Sequence, residues 1–140
     1  MARRTLHPLG ETEMELLQHV WELDRATVGD VHQRVLETRE VAYTTVMTVM
    51  KKLASKGYLA YTKEGNAYVY QAARPPEEVR TDLLRGLLQK AFGGSHRALI
   101  QTLARTEPMS DDDVAALAQI VDSIRDDEPG DATPDEDDRA

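Results

Sequence analysis

The segment from Val41 to Gly57 constrains the fold of this chain more than any other part of the sequence. Val46, Val49, Met50 and Leu53 recur at positions i, i+3, i+4 and i+7, which is the spacing of a buried helical stripe. Glycine then follows a lysine-rich last turn, which is typical of a helix C-terminus. The pattern predicts an amphipathic helix whose apolar stripe packs against other elements.

The other face of this predicted helix carries short hydroxyls and amines. Thr45, Thr48, Lys52 and Ser55 follow one another at i, i+3, i+7 and i+10, and no Asp or Glu occurs in residues 41–63. An ordinary solvated face, the alternative interpretation, normally mixes both signs of charge. Because a carboxylate would repel a phosphate, a surface that lies against phosphate groups explains why acids are absent.

The neighbouring segments predict two helices before this one and a hairpin after it. The first helix is expected over residues 10–23. The second extends to about residue 37 and starts at Thr27, with Asp30 three residues later as in a capping box. Two segments rich in aromatic and β-branched residues then flank Glu64-Gly65-Asn66, which predicts a hairpin. The order is that of a winged helix-turn-helix, a mainly α fold with a small β-hairpin, in which the third helix contacts DNA.

The net charge is unevenly distributed along the chain. The whole chain has a formal charge of -8, but residues 1–74 hold 10 Lys/Arg against 9 Asp/Glu, whereas residues 75–140 hold 7 against 16. Within residues 42–74 there are five bases and one acid, Glu64. An acidic pI therefore does not exclude a nucleic-acid partner. Residues 126–140 hold eight of the acids and are expected to form a disordered acidic tail.

Residues 75–125 predict a helical dimerisation region that follows a winged-helix DNA-binding domain over residues 1–74. Three short amphipathic helices are expected, separated by Gly93-Gly94 and by Pro108. Such short helices cannot bury their own apolar surface, and a second copy of the chain is the commonest partner. The side chains expected in the dimer contact share an apolar helical spacing; they are Leu83, Leu87, Leu99, Leu103, Val114, Leu117, Val121 and Ile124.

The predicted DNA contacts fall into several groups. Threonines are short enough to let a helix enter the major groove, whereas lysines contact phosphates without distinguishing bases. The wing tip is expected on the backbone or in the minor groove, and the two N-terminal arginines form either an arm on phosphate or an ordinary terminus. The four hairpin tyrosines are expected to pack across the strands. The full set of predicted contacts is Tyr43, Thr44, Thr45, Thr48, Lys51, Lys52, Lys56, Lys63, Asn66, Arg3 and Arg4.

Composition and motifs exclude several other classes of protein. The chain has no cysteine and its four histidines are scattered, so we expect neither a metal site nor a cofactor. No nucleophile motif, phosphate loop or paired carboxylate site occurs, which argues against an enzyme. There is no signal peptide and no apolar segment long enough to span a membrane, so a cytoplasmic protein is expected. The main alternative to a DNA-binding protein is a winged-helix adaptor that binds protein and never DNA.

Several segments of the chain also resemble a known family. These are LGETEME at residues 9–15, VW at 20–21, AYTTVMT at 42–48 and the segment 53–59 that leads into the wing. In them the chain resembles the penicillinase repressor (BlaI/MecI-type) family of bacterial transcriptional regulators. The resemblance implies a homodimer that blocks transcription from a short palindromic operator on double-stranded DNA.

Two departures from the family pattern concern the inducing signal. Copper-responsive repressors of the family use a C-terminal cysteine motif, which is absent here. The β-lactamase-type members are inactivated by proteolysis at an Asn-Phe bond, where this chain has Thr102-Leu103. The sequence therefore leaves open whether a regulatory protease of another specificity or a different inducer releases the repressor.

Overall fold

The computed structural model describes residues 9–127, so the predicted contacts Arg3 and Arg4 and most of the predicted tail lie outside the described residues. The described part divides into two units between Leu87 and Leu88. Its elements, in chain order, are α1 (Glu11–Leu23), β1 (Arg25–Ala26), α2 (Val28–Leu36), α3 (Tyr43–Ser55), β2 (Leu59–Glu64), β3 (Ala67–Ala72), α4 (Pro76–Phe92), α5 (His96–Thr106) and α6 (Asp111–Asp127). The predicted order of three helices and a hairpin, followed by C-terminal helices, is confirmed.

Strand β1 lies between the first two helices, where the sequence predicts no regular element. Asp24 has φ 72°, which turns the chain from α1 into β1. Arg25 then pairs with Gln71 and Ala26 with Tyr70, so that β3 lies in the middle of a three-stranded antiparallel sheet of order β1-β3-β2. A two-residue strand is too short to show alternation, and only its distant partner makes it a strand.

The core of the first unit lies between the three helices and the sheet. Val46, Met50 and Leu53 are no more than 1% exposed, and Val49 is partly buried, so the predicted apolar stripe of α3 is confirmed. Its neighbours in the core come from all the other elements of this unit; they are Leu16, Leu17, Val20, Ala26, Val28, Val31, Val35, Tyr58, Leu59, Tyr70 and Val79. This packing determines which face of α3 remains exposed.

A Schellman motif ends α3 and leads the chain into the wing. The Tyr58 N–H donates to the Leu53 carbonyl at 2.9 Å, and the Gly57 N–H donates to the Ala54 carbonyl at 3.1 Å. Gly57 has φ +89°, a conformation that side-chain-bearing residues rarely adopt. The glycine therefore allows the sharp change from helix to strand.

The helix N-termini are capped unequally. Thr27 and Asp30 form the predicted reciprocal capping box on α2, with N–O distances of 3.1 and 3.0 Å. Ser110 and Asp113 do the same on α6, at 3.0 and 3.3 Å. By contrast, the residue before α3 is Ala42, which offers no capping side chain. The first-turn N–H groups of α3 are thus left without a side-chain acceptor.

The first unit extends beyond the predicted domain boundary after residue 74, because the start of α4 packs on the winged-helix core. Val79 is 1% exposed and Leu83 is partly buried against the core cluster. Arg74, at the end of the wing, forms ion pairs with Glu78 at 2.8 Å and with Asp82 at 2.6 Å. These contacts join the first turns of α4 to the unit that contains the hairpin.

The second unit holds the end of α4 and all of α5 and α6. Neither α5 nor α6 has a buried residue. Helix α6 continues to Asp127, so the first two residues of the predicted tail are helical. None of the helices in residues 9–127 has the length and apolar character needed to cross a membrane.

An ion pair connects the start of α1 to the end of α3. Glu13 is only 8% exposed, and its Oε1 accepts from the Lys56 ammonium and from the Gly10 N–H, each at 2.8 Å. The Lys56 hydrogen bond, helped by the Gly10 N–H, holds the pKa of the Glu13 carboxyl below its ordinary value of 4.5. The sequence contains no local signal for this pair, because the two residues are 43 positions apart.

Substitution of two glycines tests the role of backbone conformation, with opposite signs expected. Gly57→Ala should destabilise the protein by about 1–2 kcal/mol, because alanine is strained at positive φ. Gly86→Ala, the matched control inside α4, should stabilise it by about 0.5–1 kcal/mol, because an added Cβ meets nothing within 4 Å there. Urea denaturation measures both free energies of unfolding. Equal effects at the two positions would contradict the assignment of Gly57 as an obligatory left-handed residue.

The Glu13–Lys56 pair should contribute stability that depends on pH. Glu13→Gln keeps an acceptor for Gly10 but removes the charge, and should lower the free energy of unfolding by about 1–3 kcal/mol at neutral pH. Since the folded-state pKa lies below 4.5, this contribution is complete above 4.5 and disappears as the pH falls through the folded-state pKa. Denaturation at several pH values measures the difference. Glu22→Gln, at an exposed surface pair, is the control and should change little.

Candidate nucleic-acid interface

The exposed face of α3 is a continuous polar stripe. Thr44, Thr48, Lys51 and Ser55 lie at i, i+4, i+7 and i+11, and all four are exposed. The other predicted contacts of this helix outside its last turn, Tyr43, Thr45 and Lys52, are exposed as well. The first unit thus presents the predicted threonines and lysines together on one helix without an acid among them.

The N-terminal end of α3 is held by a contact that the sequence analysis did not assign. The His32 Nε2 lies 2.8 Å from the Val41 carbonyl oxygen, and the His32 ring meets the Tyr43 ring edge-on at 5.6 Å between centroids. These contacts position the chain that enters α3. Because Ala42 provides no cap, the positive end of the helix dipole is open to an anionic group.

The register of the hairpin divides its side chains between two faces. Tyr61 lies opposite Tyr70 and Lys63 lies opposite Tyr68. Directly opposite residues share a face, and alternate residues along a strand share it too, so these four side chains lie together. We call this surface the inner wing face. Lys63, Tyr61 and Tyr68 are exposed on this face, and its tyrosines lie beside Lys51 and Ser55 of α3.

Glu64, the only acid within residues 42–74, belongs to the other face of the hairpin. It follows Lys63 directly in β2, so its side chain points to the opposite side of the sheet. There it forms an ion pair with Arg25 of β1. The fold therefore both neutralises this carboxylate and directs it away from the inner wing face.

The wing tip is a two-residue turn. Gly65 has φ +64°, whereas Asn66 is not among the residues with positive φ, a combination found in type II′ hairpin turns. Asn66 is exposed at the tip, beside the strand that carries the exposed Lys63. Both predicted wing contacts are thus accessible at the same end of the hairpin.

The hairpin tyrosines pack across the strands as predicted, but they do not share one environment. Tyr58 and Tyr70 are each 2% exposed, and burial raises the pKa of both phenols. Tyr61 packs against Tyr68 and Tyr70 at centroid distances of 5.2 and 5.5 Å, yet Tyr61 and Tyr68 remain 54% and 45% exposed. Because Tyr61, Tyr68 and Tyr70 share one face of the hairpin, alternation along β2 and β3 could not have distinguished the buried ring from the two exposed ones.

The predicted lysine contacts differ in their availability. Among residues 9–127, Lys51, Lys52 and Lys63 form no ion pair. Lys56, in contrast, is only partly exposed and is engaged by Glu13. The structure therefore brings three accessible amines to the candidate interface and gives the fourth a structural contact.

The predicted dimerisation residues are also placed unequally. Leu83 is partly buried against the winged-helix core and Leu99 is partly buried. The remaining six are between 39% and 59% exposed; they are Leu87, Leu103, Val114, Leu117, Val121 and Ile124.

In the described part of the chain, no group of three His, Asp or Glu side chains is arranged to hold a metal ion.

Comparison with known proteins connects this architecture to a family. The family described as penicillinase repressor matches residues 9–123. The transcriptional regulator BlaI of Mycobacterium tuberculosis is 32% identical over 104 residues, which cover 69% of this chain and 72% of that protein. The penicillinase repressor of Staphylococcus aureus is 20% identical over 112 residues, covering 80% of this chain and 89% of that protein.

The solution structure of the DNA-binding domain of the repressor BlaI is similar at 21% identity, with a TM-score of 0.48, covering 54% of this chain and 93% of that domain. The family assignment itself rests on the match over residues 9–123 and on the mycobacterial relative. Membership in this family agrees with the winged-helix unit and implies a role in transcription rather than catalysis. The chain therefore belongs to the penicillinase repressor family, and it is a DNA-binding transcriptional repressor.

Proposed function

We propose that this repressor binds a palindromic operator as a homodimer, with α3 of each winged-helix unit in the major groove and the wing on the adjacent backbone or minor groove. The observation that carries the proposal is the exposed, acid-free stripe of α3 beside the inner wing face. A helix with small hydroxyl side chains can approach base edges closely. Because the exposed stripe of α3 carries no carboxylate, it does not repel phosphate groups.

The state of each lysine supports this arrangement. Lys51, Lys52 and Lys63 can contact phosphates without breaking an intramolecular pair. Lys56 could do so only by leaving Glu13 with an unpaired buried charge, which is costly. We therefore propose Lys51, Lys52 and Lys63 as the main phosphate contacts and a mainly structural role for Lys56.

The homodimer is proposed from the C-terminal helices. Val114, Leu117, Val121 and Ile124 follow a 3-4-3 spacing along α6, and each is at least 39% exposed. Burying apolar surface stabilises an association by roughly 25 cal/mol per Å² before the costs of binding. A second copy offers the same stripe, and a two-fold symmetric dimer matches the symmetry of a palindrome.

The proposed function also bears on the cellular compartment of the repressor and on how it is induced. The repressor acts on DNA, so we place it in the cytoplasm. Thr102-Leu103 lies inside α5, whose backbone is hydrogen-bonded as a helix, whereas proteolysis favours exposed loops. Induction through this bond would thus require local unfolding of α5 by a regulatory protease or an unidentified inducer.

Footprinting on the DNA upstream of the chain's own gene tests operator binding directly, and an adaptor that binds only protein would give no footprint.

Direct readout by the threonines can be separated from phosphate contact. Thr45→Ala or Thr48→Ala should lower the preference for operator over random DNA by about 1–3 kcal/mol if the side chain reaches a base edge. Lys52→Ala should weaken both duplexes equally and reduce the salt slope by about 0.9. Fluorescence anisotropy at several salt concentrations measures the affinity of each variant for operator and for random DNA, and the salt slope of each. Equal losses on both duplexes for both threonine variants would remove the base-contact assignment.

The dimer contact can be tested by introducing charge into the apolar stripe of α6. Leu117→Asp combined with Val121→Asp should give a monomer, because two buried carboxylates in each chain would face one another. Sedimentation analysis measures the mass, and anisotropy should show much weaker binding to a full palindrome. Gln119→Asp with Ser123→Asp adds the same charge outside the stripe and should leave the dimer intact. A wild-type monomer at micromolar concentration would refute the dimer.

A further inference from the structure

An open cleft of about 520 Å³ lies between the C-terminal turns of α3 and the inner wing face. It is lined by Lys51, Ala54 and Ser55 from the helix and by Tyr61, Tyr68 and Tyr70 from the strands. Tyr70 is buried and Ala54 is partly buried, whereas the other four lining residues are exposed. Its volume is within the range of about 300–1,000 Å³ that is typical of ligand sites.

The lining of the cleft carries donors and no carboxylate. One ammonium, one serine hydroxyl and two exposed phenol hydroxyls surround it, and each of these groups can donate a hydrogen bond. A phosphodiester carries a negative charge and only accepts hydrogen bonds. The exposed rings of Tyr61 and Tyr68 add apolar surface of the kind that packs on a deoxyribose. The chemistry of the cleft therefore fits a sugar–phosphate segment better than a cation or a neutral apolar ligand.

The geometry of DNA leads to the same ligand. Neighbouring major and minor grooves of a duplex are separated by one sugar–phosphate strand. A helix in the major groove and a wing at the next minor groove must straddle that strand. The space between helix and wing is where the strand has to pass. Here the exposed stripe of α3 from Thr44 to Ser55 leads into this space.

We propose that this cleft holds one sugar–phosphate strand of the bound duplex, with the Tyr61 and Tyr68 hydroxyls and the Lys51 ammonium donating to its phosphate oxygens. The proposal rests on the proposed placement of α3 and the wing, and it assigns DNA contacts to two tyrosines beyond the lysines and threonines of the helix. The contacts go to the backbone, so they set the register of the protein on DNA without distinguishing sequences.

The hydroxyl groups distinguish this role from simple packing. The ring contacts among Tyr61, Tyr68 and Tyr70 need no hydroxyl, and a phenylalanine would keep them. If the tyrosines only close the sheet, their replacement by phenylalanine leaves DNA binding unchanged. If the hydroxyls contact phosphates, the same change weakens binding to every duplex.

The test compares the full-length wild type with the double variant Tyr61→Phe/Tyr68→Phe on a short random-sequence duplex at low salt, measured by fluorescence anisotropy. Binding should weaken about a hundredfold, roughly tenfold for each hydroxyl, because hydrogen bonds to a charged group are lost while the rings remain. Lys51→Gln should reduce the salt slope by about 0.9. Thr62→Val is the matched control, because it removes a hydroxyl from the opposite face of the same hairpin, and it should bind as the wild type does.

A second measurement locates the contact on the DNA. In a series of duplexes, one phosphate at a time is replaced by a neutral methylphosphonate. The wild type should lose affinity when the replaced phosphate is the one in the cleft. The double tyrosine variant should lose little affinity from the same replacement, because its contacts to that phosphate are already gone. Wild-type affinity of that variant, with its unfolding curve unchanged, would overturn the assignment of the cleft while leaving the placement of α3 intact. Failure of the wild type to bind any duplex would instead refute the proposed DNA interface as a whole.

Discussion

The packing of the apolar stripe of α3 against the rest of the winged-helix core is the interaction on which the other features depend. Val46, Met50 and Leu53 are almost completely buried, so α3 cannot rotate without exposing them to water. Fixing one face of a helix also fixes the opposite face. The threonine and lysine stripe is thereby presented to solvent in a single orientation, which a surface that recognises another molecule requires.

The electrostatic arrangement extends this constraint beyond one helix. Lys51, Lys52 and Lys63 of the candidate interface form no ion pair among the described residues, while two carboxylates of the same unit are paired away from it. Glu13 accepts from Lys56 beneath the end of α3, and Glu64 is paired with Arg25 on the far face of the wing. An acidic protein can therefore present a locally positive surface, because charges that are paired or directed away act weakly on a ligand in salt solution.

The two units differ in how they are stabilised. The first has a continuous core that includes the start of α4, whereas α5 and α6 contain no buried residue of their own. In proteins, most of the stability of such helices comes from the packing of an apolar face rather than from the helix itself. A dimeric assembly would join the two requirements of the proposed function, since the contact that stabilises the C-terminal helices would also bring two DNA-binding units together.

Local patterns in the sequence predicted much of the first unit because their causes are local. The periodicity of α3, the capping box of Thr27 and Asp30, and the glycine at position 57 each involve residues within a few positions of one another. Contacts between distant residues were missed for the complementary reason. The pairing of β1 with β3, the contact of His32 with Val41 and the Glu13–Lys56 ion pair have no periodic signature.

The candidate interface also depends partly on local sequence patterns and partly on contacts between distant residues. The sequence by itself determined which residues α3 would expose, because the helical period separates apolar from polar positions. Only the tertiary structure decided that Lys56 is occupied by Glu13, that Glu64 faces away, and that two tyrosines join Lys51 and Ser55 around one cleft. Those outcomes depend on how helix and hairpin meet in space, and a linear pattern carries no information about the distance between two elements.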